Sequence, residues 1–285
     1  MSTTSGTQIE HETWIRRHAV LAYFTLTFSI SWAGAFALAA PYLVRRSSIP
    51  TFTGILMFPA MLLGPLVSGF VMAGVTGGRA GIKAIFAGMN PVRIARGWYA
   101  ALLIPPAVIL PLLLFLEHTV SPAFTPNHFW LGIAFGVPAG VFEEIGWSGF
   151  AFPQMRRRSR AFAAAVRLGI LWSLWHLPAI NYLGASVPHG RYWFAFFLAF
   201  AFAMIAMRVL ISWLLQNTGS VLLAQLMHIS STGALVIFSP PVSTLQESLW
   251  YAIYGLSLWL IVGIIVWTVG RQLSRQNLPS SADGP

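Results

Sequence analysis

The stretch FWLGIAFGVPAGVFEEIGWSGF, residues 129–150, runs from Phe129 to Phe142 without a charged side chain and then sets two carboxylates, Glu143 and Glu144, side by side. An apolar run of this kind is long enough to enter a bilayer, whose hydrocarbon layer of about 30 Å takes roughly 20 residues of helix. The apolar positions are continuous rather than alternating, so the spanning element is a helix and not a barrel strand. Similar runs lie on either side of it, at Ala19–Val44, Thr53–Val75, Gly97–Leu116, Ala161–Ala179, Trp193–Leu215, Ser220–Phe238 and Leu249–Val269, with Phe129–Trp147 as the fourth in order. The expected fold is therefore an all-α membrane protein with about eight transmembrane helices.

Composition agrees. Of the 285 residues 56% are hydrophobic and 8% charged, whereas soluble domains carry about a quarter charged residues. Turn formers or charges separate the runs, as at Arg45-Arg46-Ser47-Ser48, Gly77-Gly78-Arg79, Ser121 to Asn127, Arg156-Arg157-Arg158, Pro188-His189-Gly190 and Pro240-Pro241. The chain divides into a polar N-terminal tail (1–18), a polytopic membrane domain (19–270) and a C-terminal tail (271–285) expected to be disordered. A stretch around Ala37-Leu38-Ala39 imitates a signal-peptide cleavage site, but the apolar segment before it is too long for one.

The net charge of +10 does not point to nucleic acid, because the basic residues sit in short clusters between apolar runs. With the first span starting inside, one face receives Arg16, Arg17, Arg79, Lys83, Arg93, Arg96, Arg156, Arg157, Arg158, Arg160, Arg271 and Arg275, and the other only Arg45, Arg46 and Arg191. Positive charge is retained in the cytoplasm, so both termini are expected there, in the plasma membrane, with anionic lipid headgroups beside the clusters. Arg167 and Arg208 fall at or near span ends and are expected to snorkel to the interface. The absence of cysteine removes disulfides, thiolate metal sites and a cysteine nucleophile.

Chemistry concentrates on a few residues. Of the seven acidic residues, Glu10, Glu12, Glu117, Glu247 and Asp283 fall in tails or at span ends, and only Glu143 and Glu144 are set deep in a span. An ionised carboxylate at that depth costs roughly 3 kcal/mol or more, and intramembrane ionisable groups mark functional sites. Neighbouring positions on a helix diverge by about 100°, so one carboxylate can face a cavity while the other binds a structural partner. A buried, ion-paired strut is the competing structural reading. His176 lies in the next span within Trp172-Ser173-Leu174-Trp175-His176, and His228 deep in the seventh within His228-Ile229-Ser230-Ser231-Thr232. Trp172 shares a helix face with His176, and His228 with Thr232. Pro138 and Pro178 remove backbone donors near Glu143 and His176, which predicts irregular backbone at both.

These three motifs, in this order on three apolar segments, resemble the signature of the CAAX protease and bacteriocin-processing (Abi) family of intramembrane metalloproteases: EExxxR, an aromatic residue followed after three positions by His, and HxxxN. The resemblance covers a protease-like core at about 129–238. It implies an eight-helix fold around a cytoplasm-facing catalytic cavity and an endopeptidase acting on a membrane-tethered peptide, prenylated of the CAAX type or leader-bearing. Glu143 would activate water, His176 and His228 would complete the site, and Glu144 would assist orientation or protonation. Trp172, Ser148 and Thr232 would support them. The family has Arg where this chain has Ser148, and Asn where it has Thr232. The missing arginine leaves its carboxylate to another cation or to Ser148 itself. In a metal version His176, His228 and Glu143 hold Zn²⁺; in a metal-free version Glu143 polarises water directly while histidines stabilise the oxyanion. The other function classes are a catalytically silent membrane scaffold and a proton-coupled transporter, and the internal repeats of the latter are not found.

Overall fold

The computed structural model describes residues 14–90, 94–178 and 190–274. Among these residues the chain is helical and forms no strand. After a short helical turn at Trp14–Arg17, the main helices are α1 (Ala19–Val44), α2 (Thr51–Gly88), α3 (Ile104–Thr119, entered through a 3₁₀ segment Arg96–Leu103), α4 (a composite run from Gly132 to Arg156), α5 (Ala161–Trp175), α6 (Trp193–Thr218), α7 (Val221–Ile237) and α8 (Thr244–Val269). Five helical stretches, namely α1, α2, α3 with its 3₁₀ entry, the run Gly190–Thr218 that contains α6, and α8, are long and apolar enough to cross a membrane; α5 and α7 are apolar but shorter. Each expected apolar run thus has a helical counterpart. Ala179, where the fifth run was expected to end, and most of both tails lie outside the described residues.

Local chemistry sets the boundaries. Gly78 takes a left-handed φ of 57° inside α2, so the chain reverses at the expected Gly77-Gly78 turn and residues 79–88 fold back, bringing Gly81 against the Ala73 carbonyl. Gly219 (φ 63°) closes α6, and Ser220 caps α7 by accepting from the Leu223 N–H. Ser243 and Gln246 form a capping box at the start of α8.

α4 is the irregular helix. Its first α-helical piece ends at Pro138, π-helical turns follow at Ala139–Glu143 and Trp147–Ala151, and a short α-turn, Glu144–Gly146, lies between them. Proline cannot donate to the preceding turn, and the helix relaxes into the wider π-geometry, as the sequence leads one to expect. Gly132, Gly136 and Gly140 let α4 lie on α7: a Cβ on Gly136 would stand 2.9 Å from the Gly233 nitrogen, and one on Gly140 2.6 Å from the Gln225 carbonyl. Gly146 meets α1 and α2 in the same way, with the Pro65 carbonyl and the Tyr23 hydroxyl each 2.3 Å from a virtual Cβ. Small residues at such crossings replace the hydrophobic effect as the source of helix association in lipid, because they let backbones approach.

The most buried long helix is α6, whereas α8 turns Leu260, Ile264 and Trp267 outward, Trp267 being 87% exposed. That apolar outer face suits a lipid solvent. Inside, Trp147 is fully buried and meets Tyr23, Phe24 and Trp175 at centroid distances of 5.6, 6.0 and 5.8 Å, joining α4 to α1 and α5. The Trp32 indole ties α1 to the end of α5 through the Trp175 carbonyl at 3.1 Å.

Candidate active site

Glu143 and Glu144 are both buried, at 1% and 0% exposure, and their surroundings differ. Glu143 Oε2 accepts two indole N–H groups, from Trp147 one turn on (3.0 Å) and from Trp172 on α5 (2.7 Å). Its partners are neutral donors. Glu144 is instead saturated. Oε1 accepts from Arg208 Nη2 (2.9 Å) and His228 Nδ1 (2.7 Å), and Oε2 accepts from Arg208 Nη1 (2.8 Å) and from the Ser148 hydroxyl. A planar guanidinium matched to a carboxylate in this bidentate way is the strongest form of such a pair.

Arg208 is the residue the sequence reading misplaces. It was expected to snorkel, yet it is 0% exposed and lies 64 positions from the carboxylate it holds. In the low dielectric of the bundle a cation cannot stay unpaired, and Glu144 is its counter-charge. Arg167, the other arginine expected to snorkel, is exposed. The carboxylate that lacks the motif arginine at position 148 thus receives both substitutes: a cation from α6 and the Ser148 hydroxyl. The shorter Ser148 side chain leaves room beside it, a cavity of about 340 Å³ shared with Arg156, Gln216 and Val221.

Trp172 gathers the rest. Arg208 Cζ stands 4.2 Å above its ring, His176 and His228 pack edgewise at 5.3 and 5.2 Å, and its N–H points to Glu143. A cation on the indole face and a carboxylate on its N–H polarise the ring in the same sense. Glu143, His176 and His228 are therefore held around one side chain, and Glu144 is joined to it through Arg208 and His228. Thr232, half-buried one turn beyond His228, is not among the groups bonded to Glu144.

The histidines have defined tautomers. His176 Nδ1 lies 2.7 Å from the Trp172 carbonyl and His228 Nδ1 2.7 Å from Glu144; carbonyl and carboxylate oxygens only accept, so each Nδ1 carries the proton. Nε2 is then the ring nitrogen left for a substrate or ligand at both residues. The Zn²⁺ reading requires His176, His228 and Glu143 to converge on one point. Among the described residues no three His, Cys, Asp or Glu side chains are arranged to hold a metal ion.

The comparisons bear on this segment. Residues 125–234 match the family model of type II CAAX prenyl endopeptidases, Rce1-like. This Rce1-like segment contains the three motifs, α4, α5, α6 and almost all of α7, and so every residue of the site. A curated relative, CAAX prenyl protease 2 of Methanococcus maripaludis, is 31% identical over 144 residues, 45% of this chain. The chain spans about half the length of that relative, 51%. The resemblance drawn from the motifs is borne out over the Rce1-like segment.

Proposed function

We propose that the chain is an intramembrane endopeptidase that hydrolyses a peptide bond in a membrane-tethered substrate, a prenylated CAAX-type or leader-bearing peptide, by water activated at Glu143. The observation that carries this reading is the division of labour between the two carboxylates. Glu144 is neutralised and fully bonded, while Glu143 keeps Oε1 outside its two indole bonds. Glu143 is the group free to take a proton, and Glu144 is a positioning residue that fixes His228.

In the proposed reaction, Glu143 removes a proton from water as the oxygen attacks the scissile carbonyl. With Nδ1–H committed to Glu144, His228 donates to the resulting oxyanion through Nε2–H in its protonated form, and His176, which packs edgewise on the same indole, would add a second donor of the same kind. As the tetrahedral species collapses, the proton held by Glu143 passes to the leaving amine. The carboxylate is regenerated, and the products are a shortened acid and a free amine. No step runs through a metal.

The same reading sets eight helices across the plasma membrane, both termini cytoplasmic, with the site in a cavity open to that side, where the basic clusters collect. The experiment is cleavage of a panel of farnesylated, geranylgeranylated and leader peptides by purified protein and by Glu143→Gln, His176→Ala and His228→Ala. Cleavage lost in all three supports the assignment, and cleavage retained in all three sinks it. Binding of the same peptides without cleavage by wild type indicates a scaffold.

A further inference from the structure

Away from the site, a cavity of about 480 Å³ opens where the start of α1 meets the end of α4. Its polar wall holds Arg16, Arg17, His18, Arg157 and Arg158, and its other wall holds Leu21, Phe24 and Leu171. Among the described lining residues there is no carboxylate. Two bonds hold the wall in place: Arg16 Nε donates to the Val75 carbonyl (3.1 Å) and Arg158 Nη2 to the Arg17 carbonyl (3.2 Å). Each uses one nitrogen of a five-donor guanidinium and leaves the remainder. Leu21 is 56% exposed on the outer surface of a helix apolar enough to span a membrane, so the cavity meets lipid along one edge.

Guanidinium groups converging beside an apolar wall on a membrane helix match one chemistry, a phosphate with hydrocarbon attached. We propose that this cleft binds a single anionic phospholipid, Arg16 and Arg157 holding its phosphate while an acyl chain lies along Leu21 and Leu171. The lipid then bridges α1 to the end of α4, the helix that carries Glu143 and Glu144. This inference is independent of the proposed peptidase chemistry.

The test is native mass spectrometry and thermal unfolding of the full-length protein in detergent, titrated with dioctanoyl phosphatidylglycerol, with dioctanoyl phosphatidylcholine and with inorganic phosphate. Phosphatidylglycerol is expected to bind with one molecule retained and to raise the unfolding temperature; phosphatidylcholine is not. With roughly 1 kcal/mol for each arginine near a lipid phosphate, Arg157→Gln should weaken binding about fivefold and Arg16→Gln/Arg157→Gln about thirtyfold. Arg45→Gln/Arg46→Gln, a basic pair at the opposite end of α1, should leave it unchanged. Arg157 makes neither of the tethering bonds above, so the single variant keeps the test valid if the double one fails to fold. The proposal is overturned if both lipids bind alike, if Arg157→Gln binds as wild type does, or if inorganic phosphate displaces the lipid.

Discussion

Replacing Arg208 with methionine removes the cation from a carboxylate that has no access to water. Glu144 would keep the Ser148 hydroxyl and His228 Nδ1 but lose both bidentate bonds, at 2.8 and 2.9 Å. Breaking one side of a buried pair costs about 3–5 kcal/mol, and the desolvated stacking of Arg208 on Trp172 adds up to about 2 kcal/mol. Unfolding temperatures in a protein of this size fall by about 2–4 °C per kcal/mol, so Arg208→Met should melt roughly 6–28 °C lower. The melt is followed by intrinsic tryptophan fluorescence in detergent. The informative variant is the exchange Ser148→Arg/Arg208→Met. Ser148 already touches Glu144 and borders a cavity of about 340 Å³, so an arginine there can reach the same carboxylate. The exchange should recover at least half of the lost stability, whereas Ser148→Arg alone should destabilise by setting two guanidinium groups on one carboxylate. The reasoning is refuted if Arg208→Met melts within about 2 °C of wild type, or if Ser148→Arg is equally harmful in both backgrounds.

Other outcomes follow from the same geometry. Trp172→Phe keeps a ring under Arg208 but deletes the N–H on Glu143; a hydrogen bond to a charged group is worth about 1.5–3 kcal/mol, so kcat should fall roughly 10- to 100-fold and the unfolding temperature by about 3–12 °C. Gly146→Ala drives a methyl into the Pro65 carbonyl and the Tyr23 hydroxyl, which should cost about 1–3 kcal/mol or more and appear as a lower unfolding temperature. With water activated at Glu143 directly, as proposed, cleavage activity should persist through treatment with EDTA and 1,10-phenanthroline, read by peptide mass spectrometry.

What was legible in the sequence was legible for physical reasons. Lipid-length apolar runs can only become helices, and carboxylates are so rare in this chain that Glu143-Glu144 stood out against the background. Pro138 announced the irregular backbone that the π-turns supply, because a missing N–H is a property of one residue. Arg208 was not legible as a site residue. A lone arginine near the end of an apolar run has the same local signature whether it reaches outward to headgroups or inward to a carboxylate, and the choice depends on a contact between α6 and α4. The glycine face of α4 was hidden similarly: in a helix apolar all round, nothing local says which side meets α7.

The central claim is that Glu143, and not Glu144, activates the attacking water. Single-turnover hydrolysis of a farnesylated CAAX-type peptide in proteoliposomes, comparing wild type with Glu143→Gln, tests it most directly. Glutamine still accepts the Trp147 and Trp172 indoles, so the variant should fold and bind, while its rate falls by roughly 10²–10⁴ for the loss of a general base. A folded Glu143→Gln protein that cleaves within a few-fold of the wild-type rate would contradict the account.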